Sequence, residues 1–386
     1  RLSSNCIGPI APRLTRPAPC DTMYAAVWCW SMSDGSPGQP IETSTRPRAV
    51  VWCTPDQAPL VGDVAQAAGL DLLAAGSHEK GRGGEVAKTL GVEHATAVRA
   101  ALTTTACDLV WLASPGSFAA DAAEPDLAAL LTARTRGVRI ATLEPMPATA
   151  FELAGTSWTG RTPAPAAAVR FVPLTRRAAS FREAWELIGD TFGRTHTMSV
   201  ECLGRPEHGS LGARLFAAMD LVLSVMGEPE LIDAGYTGPA AGAGLHALPG
   251  ETLRGLSGHL TANLRFADGR AAVLLCSDRA GVWETSATLL SPAGRLRIHD
   301  SGFVWTGPDG ALTDAHQADA KNKSDDTDPG TRAIAESLRR LCDPAMPPES
   351  SPDHGVVLAM SQAALLSART GQPESPATIQ RLVAGA

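Results

Sequence analysis

Residues 106–147, ACDLVWLASPGSFAADAAEPDLAALLTARTRGVRIATLEPMP, decide the fold class of this chain of 386 residues. The apolar run Leu109–Ala113 ends at a turn that begins with Ser114, and such a run predicts a short strand buried on both faces. The Ala- and Leu-rich segment Ala119–Arg136 predicts a helix that a glycine ends. Val138–Leu143 predicts a second strand, which two prolines stop. Strand, helix and strand together predict a crossover unit with parallel strands.

The segments before this unit repeat its pattern. Strands are predicted at Arg48–Cys53 and Leu70–Ala75, and helices at Ala58–Ala68, Glu85–Leu90 and Ala97–Thr104. Alternating strands and helices are typical of a doubly wound parallel sheet. We therefore expect residues 47–148 to form a Rossmann-like domain, whose ligands sit at the carboxyl ends of the strands.

Beyond residue 189 the apolar pattern changes to a period of two, which predicts an antiparallel sheet. A further strand, Val169–Leu174, and a helix, Phe181–Gly189, precede this change. The later strands are predicted at Thr197–Leu203, Glu230–Ala234, Leu260–Phe266, Arg270–Cys276, Glu284–Leu290, Arg295–His299 and Phe303–Thr306, with one long helix at Ala213–Met226. The predicted fold class is thus α/β followed by α+β: a Rossmann-like sheet, then a second domain with a large open sheet at 149–315. We expect a mobile loop at 316–330 and C-terminal helices at 331–386 that pack back on the first domain.

Residues 1–46 differ from the rest, because they are rich in Pro, Ser and Arg and show no sustained apolar period. We expect a disordered leader there. The chain begins at Arg1, whereas Met32 opens a polar stretch that runs into the first strand. Our hypothesis is that Met32 is the true start and that residues 1–31 are upstream sequence.

Composition narrows the possible partners. The net charge is −7 without a basic stripe, and aromatic residues make up only 5%, so we expect no nucleic-acid partner. No apolar run approaches ~20 residues, so no membrane helix is expected. The eight cysteines lie far apart, four of them inside apolar runs, and no metal-binding spacing occurs. Free buried thiols in a reducing cytoplasm are the expectation.

Two strand ends carry a resemblance to a known family. Residues 108–115, DLVWLASP, and 137–145, GVRIATLEP, resemble in spacing the D-x-V-x-I-A-T-P and G-K-H-V-x-x-E-K-P motifs of the Gfo/Idh/MocA oxidoreductases. The segment MGEP at 226–229 is similar to the end of the long helix in that family. The resemblance runs from about 47 to 380. It implies NAD or NADP as cofactor, a sugar or polyol as substrate, and a homodimer or homotetramer formed through the second sheet.

The chain departs from the family at the residues that carry chemistry. A dinucleotide-binding turn needs G-x-G-x-x-G, but residues 53–60 read CTPDQAPL and contain no glycine. Alignment on Pro145 puts Glu144 at the family's catalytic lysine. Alignment on Asp220 puts Ala213 and Ala217 at the Asp and His of the family's D-x-x-x-H motif. Methyl groups cannot transfer protons.

Candidate site residues follow from these positions. The cofactor candidates lie at predicted strand ends: Thr54, Asp56, Gln57, Ser77, Lys80, Arg82, Ser114, Pro115 and Pro145. Thr54 and Asp56 also fit a helix cap, and residues 77–84 also fit a solvated loop, and we favour these two interpretations. The catalytic candidates are Glu144 and His208, and the substrate-binding candidates are Arg214 and Arg279. No metal ligands are predicted.

Three hypotheses remain open from the sequence. The first is an NAD(P)-dependent oxidoreductase with altered cofactor contacts. The second is a catalytically inactive descendant that serves as a ligand-binding or scaffolding protein. The third is an enzyme of another class that uses Glu144 and His208 in the same cleft.

Overall fold

The computed structural model describes residues 46–120, 123–155, 158, 164–239, 248–317, 327–346 and 351–385. The expected leader at 1–46, including Met32, falls outside the described residues except for its last position. Within the described ranges no helix is long and apolar enough to cross a membrane.

The first sheet has six strands, all parallel, in the order β3-β2-β1-β4-β5-β6. Its strands are β1 (Arg48–Trp52), β2 (Asp71–Gly76), β3 (Glu93–His94), β4 (Leu109–Leu112), β5 (Arg139–Thr142) and β6 (Val169–Phe171). Its helices are α1 (Ala58–Ala68), α2 (Gly83–Leu90), α3 (Val98–Thr103) and α4 (Glu124–Thr135). β4 is buried at every position, as a strand covered on both faces requires. The Rossmann-like prediction is confirmed.

The second sheet has eight strands in the order β14-β13-β12-β11-β7-β10-β9-β8, and only the β7–β10 pair is parallel. These strands are β7 (Thr197–Leu203), β8 (Leu231–Thr237), β9 (His259–Arg265), β10 (Ala271–Ser277), β11 (Glu284–Ser291), β12 (Gly294–His299), β13 (Gly302–Thr306) and β14 (Leu312–Gln317). Alternate residues of β9 are buried and exposed, which explains the period of two. The predicted open, mostly antiparallel sheet is confirmed.

The remaining helices are α5 (Ala150–Ala154), α6 (Ala179–Asp190), α7 (Leu211–Met226), α8 (Pro329–Cys342), α9 (His354–Thr370) and α10 (Pro376–Ala384). Of these, α6, α7 and α9 pack against the second sheet. α7 is buried along most of its length because β7 and β10 lie on one side of it and α9 on the other. One large apolar core joins these elements.

The first sheet extends past residue 148, because β6, at the predicted strand Val169–Leu174, pairs with β5. Part of the expected loop at 316–330 belongs to β14 and α8, and its middle lies outside the described residues. α8 does pack on α1 of the first domain, but α9 contacts α7 and β8, so the C-terminal helices divide between the domains. The apolar residues of α9 are buried on several sides, which suits a position inside the second core.

Candidate functional site

The carboxyl ends of β1, β2, β4 and β5 meet at one edge of the first sheet, and most of the predicted site residues lie there. β1 is central in this group, since β2 and β4 are its neighbours on either side. Ser114 follows β4 and is partly buried, and Pro115 and Pro145 are buried beside it. The loop that precedes α7 comes from the second domain and contacts the turn after β1 at this edge.

In the turn after β1, hydrogen bonds between residues of the turn use the available donors. Thr54 is the cap of the helical turn Pro55–Gln57: its backbone N–H donates to Gln57 Oε1 at 3.2 Å, and Gln57 N–H donates to Thr54 Oγ1 at 3.3 Å. Pro55 has no N–H to offer. Gln57 Nε2 donates to the carbonyl of Glu207 in the second domain at 3.4 Å. The capping interpretation of Thr54 is therefore confirmed, and Gln57 connects the two domains. Asp56 is exposed.

The loop after β2 is exposed and its arginine is already paired. Arg82 lies 2.5 Å from Glu85 and 3.5 Å from Glu79. Ser77 Oγ accepts from the backbone of Glu79 at 3.2 Å. Lys80 is exposed and forms no ion pair with a described residue. Of the three predicted residues, Lys80 is thus the cation that a ligand at this edge can engage.

A histidine that the sequence analysis missed spans the crevice. His78 Nδ1 lies 3.2 Å from Ser114 Oγ, so a side chain from the end of β2 meets one from the end of β4. Gly116 lies directly below the imidazole, and a Cβ at that position would approach His78 Cγ to 2.5 Å. The pair crosses the end of β1, which lies between these two strands.

Glu144 is bound to the start of α7. Its Oε1 accepts from Ser210 N–H at 2.8 Å and its Oε2 accepts from Ser210 Oγ at 2.5 Å. Ser210 is also the N-cap of α7, since its Oγ accepts from Ala213 N–H at 3.2 Å. The carboxyl group is thus held by two donors at the positive end of a helix.

Burial nevertheless raises the pKa of Glu144 to about 7, against the hydrogen bonds from Ser210 and the charge of Arg214, which lower it. A carboxyl group with a pKa near neutrality can accept and release a proton under ordinary conditions. Glu144 is the only candidate from the sequence analysis that combines this property with a place at a strand end.

Arg214 lies inside α7 and is almost fully buried. Its guanidinium stacks on the ring of Trp283, 4.2 Å from the centroid, and donates to the carbonyl of His208. Burial lowers the pKa of Arg214. Within the described ranges, Arg214 Nε has no hydrogen-bond partner, and no carboxylate forms an ion pair with the guanidinium. A buried cation in this state has the capacity to bind an anion.

His208 has a structural position. It is completely buried, its Nε2 lies 2.9 Å from Asp328, and its ring meets Trp283 edge to face. Burial lowers the pKa of His208 to about 4, so it is neutral at pH 7. Asp328 also caps α8 through the N–H of Thr331. His208 therefore fastens α8 to the second domain, and solvent does not reach it.

Arg279 does not join this group. It is exposed after β10, and its Nε donates to Ser257 at 2.9 Å.

The residues that sequence reasoning missed are His78, Ser210 and Asp328. Ser210 and Asp328 each stand directly before a helix, where Ser and Asp are favoured caps, so this signal was available. Nowhere among the described residues do three potential metal ligands lie together.

No protein-family model matches the chain, and no curated protein is similar to it in sequence. Solved structures do match. An oxidoreductase from Agrobacterium radiobacter, in complex with NAD+, L-tartaric acid and magnesium, superposes with a TM-score of 0.61 at 14% identity over 87% of this chain and 100% of its own. Myo-inositol 2-dehydrogenase from Lactobacillus plantarum gives 0.56 at 15% identity, over 86% and 99%. An oxidoreductase from Thermotoga maritima gives 0.55 at 15% identity, over 87% and 100%.

The chain shares the fold of these structures. In a doubly wound sheet such as its first one, a dinucleotide binds in the crevice at the carboxyl ends of the central strands, which here are β1, β2 and β4. The residues present fit such a cofactor in part. Lys80 and the hydroxyl groups of Ser77 and Ser114 offer polar contacts at the two sides of the crevice. The turn at Thr54–Gln57 does not fit a diphosphate, because its side chains and backbone already satisfy one another and Asp56 adds a negative charge.

Proposed function

We propose that this chain is an oxidoreductase of the Gfo/Idh/MocA type that acts on a hydroxyl group of a sugar or polyol, with NAD or NADP as redox partner. Two things support the proposal. One is the fold, which solved dehydrogenases share over nearly their whole length. The other is Glu144, a carboxyl group with a pKa of about 7 at the strand end where the family resemblance puts a proton-transfer residue.

The observation that carries the proposal is the geometry of Glu144. Oxidation of an alcohol needs a base that removes the hydroxyl proton while the carbon loses a hydride. Glu144 accepts two hydrogen bonds from Ser210, which fix its orientation, and burial keeps its proton affinity high. When bound, the nicotinamide supplies the hydride acceptor. Glu144 takes the proton, and in the reverse direction it returns it.

A second candidate function is ligand binding without hydride transfer. The turn after β1 favours it, since Thr54 and Gln57 use their donors on each other and on Glu207. Ala213 and Ala217 stand where the family has an acid and an imidazole, and neither alanine can move a proton. In this case the two-domain cleft is retained as a binding site for a small molecule.

Titration of the full-length protein with NADH and NADPH separates these candidates. Nicotinamide fluorescence and thermal unfolding are read together. A Kd of about 100 μM stabilises the fold by about 1.4 kcal/mol at about 1 mM ligand. We expect this stabilisation from at least one nucleotide. Absence of binding by both nucleotides at millimolar concentration would overturn the oxidoreductase proposal and leave the second candidate.

Two matched variants locate the nucleotide. Lys80→Ala removes the exposed cation after β2, and we expect it to weaken NADPH more than NADH, because only NADPH carries the additional phosphate. Lys88→Ala is the control, since Lys88 is exposed in the last turn of the neighbouring helix α2. Equal effects of the two variants would argue against a nucleotide at the end of β2.

A further inference from the structure

A cavity of about 1470 Å³ lies along the edge of the first sheet, between β6, α8 and the inner face of the second sheet. Typical ligand pockets hold about 300 to 1000 Å³. Residues before, within and after β6 line the cavity, between Ala168 and Leu174. Because its volume exceeds this range, the space is larger than a single sugar ring needs.

The charge of this cavity is opposite to that of the chain. Eight arginines and three carboxylates are among its lining residues, while the whole chain has a net charge of −7. The outer arginines are Arg134, Arg139, Arg170, Arg332, Arg339 and Arg340. A concave surface with low-dielectric walls concentrates the potential of such a set.

Several of these arginines have no carboxylate of their own. Arg332 donates to the carbonyl of Thr327 at 3.0 Å, and Arg339 donates to the carbonyl of Ala67 at 2.6 Å. Across the described ranges, neither they nor Arg139 form an ion pair. Backbone carbonyls orient a guanidinium without neutralising it, so these charges remain available to an anion.

The inner end of the cavity has a different character. Arg214, Trp283, Thr285 and Asp300 line it, together with Ala217. Asp300 Oδ2 accepts from the backbone N–H of Thr285 at 2.9 Å, so the two residues lie together at this end. Thr285 and Asp300 offer acceptors, while the buried guanidinium of Arg214 offers donors. This is the combination that hydroxyl groups of a sugar require.

We propose that the cavity binds a phosphorylated sugar, with its phosphate or diphosphate at the outer arginines and its hydroxyl groups at Thr285 and Asp300. Arginine recognises phosphate through paired N–H donors, and the outer end supplies several such groups. The inner end approaches the proposed reaction site through Arg214, whose charge acts on Glu144. The inference deepens the proposed function by naming its substrate class, and only the placing of the sugar beside Glu144 rests on that function.

The test measures binding without any nicotinamide nucleotide, so its failure is distinguishable from a failure of hydride transfer. Calorimetric titration of the full-length protein compares glucose, glucose 6-phosphate, UDP-glucose, glucuronate and inorganic pyrophosphate. We expect the phosphorylated sugars to bind at least tenfold more tightly than glucose and glucuronate, with an affinity that falls as salt rises. Equal binding of phosphorylated and neutral sugar would overturn the proposal. Binding of pyrophosphate as tight as that of either phosphorylated sugar would overturn its sugar half.

Variants assign the anion to the arginines. The double variant Arg139→Gln/Arg332→Gln keeps both side chains polar and removes both charges. We expect its fold to persist, because neither arginine forms an ion pair with a described carboxylate. We expect affinity for the phosphorylated sugars to fall at least tenfold and affinity for glucose to stay unchanged. Arg265→Gln, on the exposed side of β9, is the control. If the double variant binds like the control, the anion does not lie in this cavity.

Discussion

Glu144→Gln tests the electrostatics of the candidate site through stability alone. Glutamine keeps the size of the side chain and a hydrogen-bonding oxygen for Ser210, but it does not titrate. The pKa of Glu144 is raised from 4.5 to about 7 by burial. Between these values the folded protein therefore binds more protons at this position than the unfolded chain does. The contribution of Glu144 to stability is present below pH 4.5 and is lost as pH rises to about 7.

The size of the effect follows from the same pair of values. A difference of one pKa unit corresponds to 1.36 kcal/mol, so the wild type loses about 3 kcal/mol across this window relative to the variant. His208 acts in the opposite direction, because its pKa of about 4 makes the folded state the weaker proton binder below pH 6.5. The free energy of unfolding of the wild type thus depends on pH through two opposing contributions. The difference between variant and wild type isolates the contribution of Glu144.

Urea unfolding at half-unit steps from pH 4.5 to 7.5 measures this difference. We expect the free energy of unfolding of Glu144→Gln, minus that of the wild type, to rise by about 3 kcal/mol from the acidic to the neutral end. Glu186→Gln on the exposed side of α6 controls for the loss of one charge. Parallel curves for Glu144→Gln and the wild type would refute a raised pKa and remove the argument for Glu144 as a base.

Three further variants test the contacts around the site, each by chemical or thermal unfolding. Gly330→Ala puts a Cβ 2.8 Å from His208 Nε2 and is expected to cost about 1 to 3 kcal/mol, while Gly189→Ala has open space in α6 and is expected to gain about 0.5 to 1 kcal/mol; equal effects would contradict the close packing. His208→Gln removes a buried neutral imidazole, so its free energy of unfolding relative to the wild type is expected to rise by about 3 kcal/mol as pH falls from 6.5 to 4, and a constant difference would contradict the low pKa. Arg176→Met leaves Asp220 buried without its partner at 2.5 Å and is expected to cost about 3 to 5 kcal/mol at pH 7, whereas a cost below about 1 kcal/mol would show that the pair is not needed.

The prediction of the fold succeeded where local patterns are strong. Helix α1 has the predicted bounds because Gly69 supplies the left-handed residue that ends it. The alternation in the later strands marked their buried faces, and burial in the structure follows it. The two-residue strand β3 and the exposed strand β14 were not predicted, because neither has an apolar pattern to read.

The candidate site was predicted less completely than the fold. Glu144 could be proposed from the sequence because a strand and a proline mark its position. The partner Ser210 is 66 residues away in sequence, so no local pattern connects the two. His208 was chosen because imidazoles titrate near neutrality, yet the packing of α8 buries it against Asp328 and lowers its pKa.

The sequence by itself determined the order of strands and helices, the change from a parallel to an antiparallel sheet, and the absence of glycine from the turn after β1. These are local properties, set by side-chain period and backbone freedom over a few residues. Only the tertiary structure decided that Gln57 bridges the domains, that Arg214 is buried with no ion pair to a described carboxylate, and that arginines from β5, β6 and α8 line one cavity. Burial and electrostatic interaction depend on distances between segments that are remote in sequence, and folding fixes those distances.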